Sequence, residues 1–295
     1  MKNGLPIFLA AAVALGASWC GLVLAPTLQL GGAKLTTVLQ STDTWPPQRT
    51  GAATLGLQIY RANGCAACHT EQVRQDGVAL EVSLTSLGTA KPEDFKAFVA
   101  SLFVLPELQP FTNALAANVK DWNGALPKTF LTTGDKEIAD EMIQRVNAAG
   151  VKSEIRIVAT GVDLARGWGV RRSVAADFLY DNPVQLGSLR AGPDLANLGV
   201  RAPDANWQLA HLFAPKSVTP NSTMPSFRYL FTVKKKADGA APSPDALNLK
   251  GEFAPAAGFE IIPTIEAKEL AAYLVSLRAN VPLYEAPFTP VVAKP

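Results

Sequence analysis

The sequence predicts a mainly α-helical fold with one N-terminal transmembrane helix and a small α+β module inserted into the helical part. Three observations lead to this prediction. An uncharged apolar run lies near the start, two amphipathic helical patterns lie far apart in the chain, and two alternating strand patterns lie between them. The 295 residues suffice for one large or two modest domains plus an anchor. The formal net charge of +2 does not indicate nucleic acid as a partner.

The apolar run Leu5–Pro26 contains no charged residue. About 20 such residues span the hydrocarbon core of a bilayer. Because Lys2 precedes the run, the positive-inside tendency predicts a cytoplasmic N-terminus and places the remaining chain in the periplasm of a Gram-negative cell. A cleaved signal peptide is the alternative, but Trp19 and Cys20 interrupt the small-residue pattern of a cleavage site. Residues 1–27 are therefore interpreted as a retained single-pass anchor in the inner membrane.

Residues 28–49 are predicted to form a connector between this anchor and the first folded part of the chain. The segment contains several proline and threonine residues, and Trp45, Pro46 and Pro47 form a stiff break within it. We expect the connector to let the following domain stand off the membrane or lie along a partner.

Cys65, Cys68 and His69 form the pattern Cys-x-x-Cys-His, the attachment sequence for a c-type haem. Two thiols on one helical turn can each form a thioether with the same porphyrin, and the adjacent imidazole can bind the iron as its proximal ligand. A redox dithiol or half of a zinc site is the alternative. However, zinc needs four ligands, and the remaining Cys and His residues are His211 and Cys20, which lies in the apolar run. One covalent haem c is therefore the predicted cofactor.

Two amphipathic helices are predicted on either side of a long intervening stretch. Thr54–Asn63 has apolar residues on one face and ends before Gly64, just ahead of the haem motif. Ile265–Arg278 begins after Thr264, a plausible N-cap, and has an apolar stripe. The stripe consists of Leu270, Tyr273, Leu274 and Leu277.

These two helices resemble the N-terminal and C-terminal helices of class I cytochromes c, which cross at a close contact of small and aromatic residues. Gly56, Tyr60 and Tyr273 look like the residues of that contact. The resemblance implies a class I cytochrome c fold for the helical part of the chain.

A second likeness to class I cytochromes c lies in Ala191–Leu195, which resembles their Gly-Pro-x-Leu turn. The resemblance implies that the Pro193 carbonyl accepts a hydrogen bond from the imidazole N–H of His69 and so fixes the orientation of the ring. The turn follows the haem motif in the correct order but far downstream, because residues 71–190 intervene.

The same resemblance extends to the sixth ligand of the iron. A predicted helix Trp207–Phe213 precedes Pro215-Lys216 and the sequence Ser222-Thr-Met-Pro, as in the methionine-ligand segment of class I cytochromes c. This likeness implies His/Met ligation, with Met224 opposite His69. Prolines on both sides of Met224 stiffen the loop, so that little entropy is lost when the sulfur is held.

Met142 and His211 are alternatives for the sixth ligand. Met142 lies in a helical, charged surrounding and is better explained by packing. His211 has apolar neighbours on its predicted helix, and a hydrogen-bonded structural histidine is the favoured interpretation.

The stretch between the haem motif and the Gly-Pro turn is predicted to form a small inserted module, residues 78–159, of a size typical of a small domain. Ala79–Leu87 and Val151–Val158 alternate like strands, while Pro92–Phe103 and Asp135–Ala149 have helical patterns. The module contains no catalytic constellation, so docking or spacing is its expected role. The predicted cytochrome domain comprises residues 50–77 and 160–285, and residues 286–295 form a C-terminal tail.

Several short stretches resemble a narrower family. They are Ser18–Pro26, Leu28–Gly31, His69–Arg74, Arg166–Gly169, Tyr180–Pro183 and Arg190–Leu195. In this order they look like the membrane-anchored mono-haem subunit (subunit II) of cbb-type, C-family haem–copper cytochrome c oxidases. The resemblance covers most of the chain outside residues 77–160, and Arg171-Arg172 departs from the family pattern.

This family resemblance implies a role as an electron relay in a respiratory chain. The haem would accept electrons from a di-haem cytochrome c subunit or a soluble cytochrome c. It would pass them to the membrane-embedded haem–copper catalytic subunit, where oxygen is reduced. The partners implied are therefore these two proteins and the membrane.

The predicted ligand set also favours electron transfer over catalysis. An iron with both axial positions filled has no open site for oxygen or peroxide. The chain is therefore expected to be a non-catalytic subunit of an oxidoreductase complex, without catalytic residues of its own. Arg166, Trp168 and Arg190 are candidates for haem-propionate contacts or a docking face, with ordinary surface and core roles as the alternative.

Two other functions fit the same motifs. A membrane-anchored cytochrome c that serves another complex, such as a nitric-oxide reductase, shares everything except the family-specific stretches. A haem enzyme or sensor, in which Met224 is displaceable, is the second alternative. Carbon monoxide binding to the reduced chain distinguishes an enzyme or sensor from a relay.

Overall fold

The computed structural model describes residues 4–288 apart from 33, 50, 89, 103–111, 121 and 238. The chain is helix-rich, with 42% of its residues in helices, and its sheets are small. The high helix content and the small sheets confirm the prediction of a mainly α-helical chain.

The N-terminal helix is long and apolar enough to span a membrane. Helix α1 (Gly4–Trp19) continues through a π-helical turn (Cys20–Leu24) into α2 (Ala25–Leu30). The candidate span Gly4–Leu28 has 25 residues and a mean hydropathy of 2.2, and none of it is buried against the rest of the described chain. An apolar helix of this length that is not buried against the described part of its chain fits a single-pass membrane anchor.

The connector packs against the folded part of the chain instead of forming a free spacer. Strands β1 (Thr36–Thr37) and β2 (Thr44–Trp45) pair antiparallel. The side chain of Trp45 is buried, and its Nε1 donates to Oδ1 of Asp177 at 2.6 Å. Arg49 at the end of the connector forms an ion pair with Asp181. Two side-chain contacts therefore hold the connector to the loop between residues 177 and 181.

After the connector, helix α3 (Gly51–Ala62) leads into the haem motif. The described residues between 77 and 160 then form a three-stranded sheet with three helices. The elements are β3 (Gly77–Ser86), α4 (Pro92–Leu102), α5 (Thr112–Lys120), β4 (Lys128–Thr133), α6 (Lys136–Ala148) and β5 (Lys152–Thr160). The strand order is β4-β3-β5, and both pairings are antiparallel. The strands and helices predicted here are present with shifts of one or two residues, whereas α5 and β4 were not predicted. The predicted end of α4 at Phe103 lies outside the described residues.

This part of the chain has an apolar core of its own, in which Val82, Leu84 and Phe130 from the sheet pack against the helices. Phe95 contacts Phe130 edge-to-face, with ring centroids 5.8 Å apart. Met142 of α6 is fully buried in the same core, where it acts as packing, as the sequence predicted.

The remaining chain folds from short helices and a two-stranded sheet. The elements are α7 (Val162–Ala165), α8 (Leu198–Arg201), α9 (Ala205–Phe213), α10 (Pro215–Val218), β6 (Phe231–Lys235), β7 (Phe259–Pro263) and α11 (Ile265–Ser276). Strands β6 and β7 pair antiparallel. Thr264 caps α11, as predicted, because its side chain accepts a hydrogen bond from the Ala267 N–H.

Helices α3 and α11 cross at close range and form the centre of the main apolar core. A Cβ atom added to Gly56 would collide with the Glu269 carbonyl oxygen and lie 2.8 Å from the Tyr273 Cβ, so only glycine fits there. The rings of Tyr60 and Tyr273 lie 5.2 Å apart. The structure thus brings together the three residues that the sequence predicted at this contact.

Candidate haem site

The Cys-x-x-Cys-His motif lies on one tight turn directly after α3. Gly64 has a φ of +66°, which starts a 3₁₀ turn over Cys65–Ala67. The N–H groups of Cys68 and His69 both donate to the Cys65 carbonyl oxygen, at 3.1 and 3.0 Å. Both thiols and the imidazole therefore project from a single turn. Burial raises the pKa of the Cys65 thiol to about 12, which is the opposite of the lowered pKa of a redox-active thiolate.

The predicted Gly-Pro turn lies against the imidazole of His69. The Nδ1 atom of His69 is 2.8 Å from the Pro193 carbonyl oxygen, which accepts a hydrogen bond when Nδ1 carries the proton. That tautomer leaves Nε2 free to bind a metal. A Cβ atom added to Gly192 would lie only 2.7 Å from Nδ1 of His69. The backbone N–H of Gly192 donates to the Cys68 carbonyl oxygen at 2.9 Å. The turn therefore requires glycine so that it can approach the ring.

The three residues of the motif line a cavity of about 490 Å³, which lies within the usual size range of cofactor sites. Met224 lies on the wall of the same cavity, together with Pro193 and Leu195 from the Gly-Pro turn. Further wall residues are Tyr60, Leu198, Leu212, Leu270 and Leu274. The residues predicted to hold a haem are thus brought to one largely apolar cavity, although 155 positions separate His69 from Met224 in the sequence.

His211 also lines this cavity, and its ring stacks on Trp207 with centroids 4.9 Å apart and planes 6° apart. Burial lowers the pKa of His211, which favours the neutral imidazole. Its Nδ1 atom is buried and has no hydrogen-bond partner within the described chain. The ring is held by stacking on Trp207, and a hydrogen bond with the Pro215 backbone acts against the lowering of its pKa. The spacing of four between Trp207 and His211 on one helix is the sequence signal for this stacking.

The three residues proposed from the sequence as propionate contacts do not line the cavity in the described structure. Arg190 instead forms hydrogen bonds to both oxygens of Asp163, at 2.7 and 2.9 Å. The guanidinium groups of Arg166 and Arg190 lie 5.0 and 5.4 Å from the ring centroid of Trp168. Arg166 and Arg190 thus lie against the same ring, that of Trp168.

Arg190 also contacts the residues that follow His69. Its Nε donates to Oγ1 of Thr70 at 2.8 Å, and its Nη2 donates to the Gln72 carbonyl at 2.6 Å. The fully buried Asp194 accepts hydrogen bonds from Thr70 Oγ1 at 2.5 Å and from the Gln72 N–H at 2.9 Å. The residues after His69 and the residues around Pro193 are thereby tied to each other. We refer to Thr70, Gln72, Asp163, Arg190 and Asp194 as the Arg190 network.

A buried carboxyl group lies on the side of the motif next to α11. Glu71 is 4% exposed and accepts hydrogen bonds from the Tyr273 hydroxyl at 2.8 and 3.0 Å. Burial raises the pKa of Glu71 to about 8. Neither Glu71 nor the Arg190 network was predicted, because Tyr273 lies 202 residues from Glu71 and Arg190 lies 120 residues from Thr70 in the sequence.

The donor set and the cavity fit a covalent haem. Two thiols and one imidazole on a single turn match the attachment chemistry, and a thioether sulfur stands on the same cavity wall. The N–H of the imidazole has a fixed acceptor, which is the usual support for a metal-binding histidine.

Residues 153–252 match a family model described as Cytochrome C oxidase, mono-heme subunit/FixO. The matched span is about a third of the chain and contains Arg190, Pro193 and Met224, but not the Cys-x-x-Cys-His motif. No curated protein matches the chain. The family consists of mono-haem cytochrome c subunits that function with a catalytic subunit in cbb3-type oxidases. The match supports the identification of this chain as a member of the family that its motifs resemble, the mono-haem subunits of cbb-type cytochrome c oxidase.

Proposed function

We propose that this chain relays electrons within a cbb-type cytochrome c oxidase through one covalent haem c. The observation that supports this proposal is the common cavity wall formed by Cys65, Cys68, His69 and Met224. In this proposal the two thiols would attach the porphyrin, and His69 and Met224 would bind its iron. The bound haem would supply a one-electron iron couple.

The protein side chains would position the haem and keep water from it. The Pro193 carbonyl would hold the Nδ1 proton of His69 and increase the basicity of the ring toward the metal. The Met224 sulfur would bind the iron and so keep oxygen from it. The leucines of the cavity wall would keep the site apolar. An apolar site favours the reduced haem, because it carries less charge than the oxidised haem. The chain itself would carry out no bond chemistry.

We infer a class I cytochrome c fold that is divided by an inserted module. Three observations support this fold: the α3–α11 crossing, the Gly-Pro turn beside His69, and the methionine loop on the same cavity. The proposed division places the cytochrome domain at residues 50–77 and 160–285, and the module at 78–159. The separate apolar core of the module supports this boundary.

The proposed partners follow from the family and from the anchor. The donor would be a di-haem cytochrome c subunit or a soluble cytochrome c, and the acceptor would be the haem–copper catalytic subunit. Because Lys2 precedes the span, the haem domain would lie on the periplasmic side of the inner membrane.

Purification of the membrane complex tests this function. We expect the chain to copurify with a copper-containing membrane subunit, to contain one covalent haem, and to be required for oxygen consumption. Rapid and complete carbon monoxide binding to the reduced chain would contradict the relay, because a relay haem has no open iron position.

Substitution of the sixth ligand tests the proposed ligation. Met224→Ala is expected to lower the midpoint potential and to let carbon monoxide bind, because loss of the sulfur opens the iron. His211→Gln is the matched control on the same cavity wall and should leave carbon monoxide excluded. An unchanged potential in the Met224 variant, with carbon monoxide binding in the His211 variant, would identify His211 as the ligand instead.

A further inference from the structure

The cavity has a positively charged side chain on a wall that is otherwise largely apolar. Arg201 is the last residue of α8 and lines the cavity together with Gln208 and His211 of α9. Among the lining residues that the structure describes, Arg201 is the only lysine or arginine, and none is an aspartate or glutamate. The polar groups on this wall therefore favour an anionic part of any bound molecule.

The guanidinium of Arg201 is only partly used by the protein. Its Nη2 donates to the backbone carbonyl of Asp194, the residue after Pro193. A guanidinium has five N–H donors, so this bond leaves most of them available. Within the described chain, Arg201 forms no ion pair with a carboxylate. Arg190, in contrast, is committed to Asp163 and lies outside the cavity wall.

We propose that Arg201 binds a propionate carboxylate of the haem, and that it thereby positions the haem and raises its potential. This inference rests on the proposed function, because a propionate is present only when haem occupies the cavity. A guanidinium matches a carboxylate with two parallel N–H···O bonds, which a lysine cannot form. Arg201 therefore takes the role that the sequence had suggested for Arg166, Trp168 and Arg190.

The charge of Arg201 has a defined effect on the iron. The oxidised haem carries one more positive charge than the reduced haem, so a nearby guanidinium disfavours oxidation and raises the potential. An ion pair also favours the ionised propionate and keeps the pKa of that carboxyl low. Removal of the guanidinium should therefore lower the potential and make it vary with pH in the acidic range, where the propionate would then titrate.

The test uses the full chain with its haem and measures the midpoint potential by spectroelectrochemistry between pH 5 and pH 9, the range in which an unpaired carboxyl begins to titrate. For Arg201→Gln we expect the equilibrium constant for reduction to fall about tenfold, which corresponds to about 59 mV for a one-electron couple. The variant should also acquire a pH dependence below pH 7 that the wild type lacks. Arg166→Gln is the matched control, because it removes a guanidinium that does not line the cavity, and it should change neither quantity.

Each result has a defined meaning. A potential of Arg201→Gln equal to that of the wild type contradicts the propionate contact. A shift of the same size at every pH also contradicts it, because it would show that the charge of Arg201 acts on the iron without pairing with a carboxylate that titrates. If Arg201→Gln does not retain haem, Arg201→Lys decides the question, because it keeps the charge but loses the paired donors. This lysine variant should show a smaller shift in the same direction, and identity with the wild type contradicts the proposal. A wild-type chain without covalent haem would contradict the proposed function itself, whereas a haem-loaded wild type with an unmoved glutamine variant contradicts only this inference.

Discussion

The orientation of the His69 ring depends on the buried side chains of the Arg190 network. In the Arg190 network, Asp163 is 4% exposed and its carboxylate has Arg190 as its charged partner. Oδ2 of Asp163 also accepts from the Arg74 N–H at 2.7 Å. Because a buried charge is stable only when it is paired, removal of one member affects the others. The network therefore stabilises the backbone that places the imidazole beside Pro193.

We predict that Asp163→Asn destabilises the folded chain by about 3 kcal/mol, because it leaves the largely buried Arg190 without its main counter-charge. Denaturant unfolding of the haem-loaded chain measures this loss. Asp245→Asn is the matched control, since Asp245 pairs with Lys268 at the surface and exposed pairs contribute less than about 1 kcal/mol. Equal losses of stability in the two variants would show that the buried network stabilises the fold no more than an exposed ion pair does.

A second single-residue prediction concerns Glu260 in β7. Its carboxylate accepts from the Ser243 N–H and from the Ser243 hydroxyl, both at 2.7 Å, and these bonds lower its pKa from the ordinary value of 4.5. A carboxyl whose pKa is lower in the folded state stabilises that state above its unfolded pKa and loses the effect as the pH falls through the folded pKa. We therefore expect the stability difference between wild type and Glu260→Gln to be present at pH 7 and to disappear as the pH falls below 4.5.

Denaturation midpoints measured from neutral to acidic pH test this dependence. Glu252→Gln serves as the control, because Glu252 is exposed and the change should leave the pH profile unaltered. A Glu260 variant whose disadvantage persists at low pH would show that the effect is packing and not ionisation.

Among the helices, the crossing of α3 and α11 determines where the haem motif stands relative to the C-terminal part. The backbones of the two helices approach each other at Gly56 and Glu269, and Glu71 bonds to Tyr273 one turn further along α11. The haem motif follows α3 directly, so a change in this crossing would move Cys65 and Cys68 relative to α11. The contact thus links helix packing to the geometry of the cavity.

We predict that Gly56→Ala destabilises the chain by about 1–3 kcal/mol, because the added methyl group meets the Glu269 backbone and cannot be accommodated without separation of the helices. Gly51→Ala is the control on the same helix, where an added Cβ meets nothing within 4 Å. It should change stability by less than about 1 kcal/mol. The measurements are thermal unfolding and the fraction of chain that retains haem, and similar values for both variants would contradict a close crossing.

In the chain as a whole, the first and last residues of the inserted module lie next to each other. Gly77 pairs with Thr160 at the end of the β3–β5 ladder, so the two ends of the module are adjacent. Its core residues form a cluster separate from that around α3 and α11. The Asp163 side chain, which belongs to the Arg190 network, comes just after the module. The module can therefore be removed in principle without removal of a residue of the cavity wall.

We predict that excision of residues 80–158, with Ala79 and Ala159 joined by a short turn, leaves the haem spectrum intact. The reason is that the β3 and β5 ends already lie side by side. Extension of the deletion through Asp163 is the comparison, and it should reduce haem retention because it breaks the Arg190 network. Loss of the spectrum in the shorter deletion would show that the module is part of the haem fold.

Much of the fold could be predicted because the relevant signals are local. The apolar span, the helical stripes and the alternation of β3 and β5 each depend on neighbours within a few residues. Strand β4 was missed for a physical reason. The register of its pairing with β3 shifts between Val82 and Ser83, and the consecutive residues Phe130 and Leu131 are both buried. A strand with this irregularity does not alternate, so its pattern does not indicate a strand.

The sequence by itself determined the type of site, because Cys65, Cys68 and His69 act together on one turn and need no distant partner to be recognised. The sequence also supplied Pro193 and Met224 as candidates through their local motifs. Only the tertiary structure decided that these residues share one cavity, that Arg190 is committed to Asp163, and that Arg201 stands on the cavity wall. The reason is that contacts between residues far apart in the chain depend on how helices and loops pack, and a linear pattern contains no record of that packing.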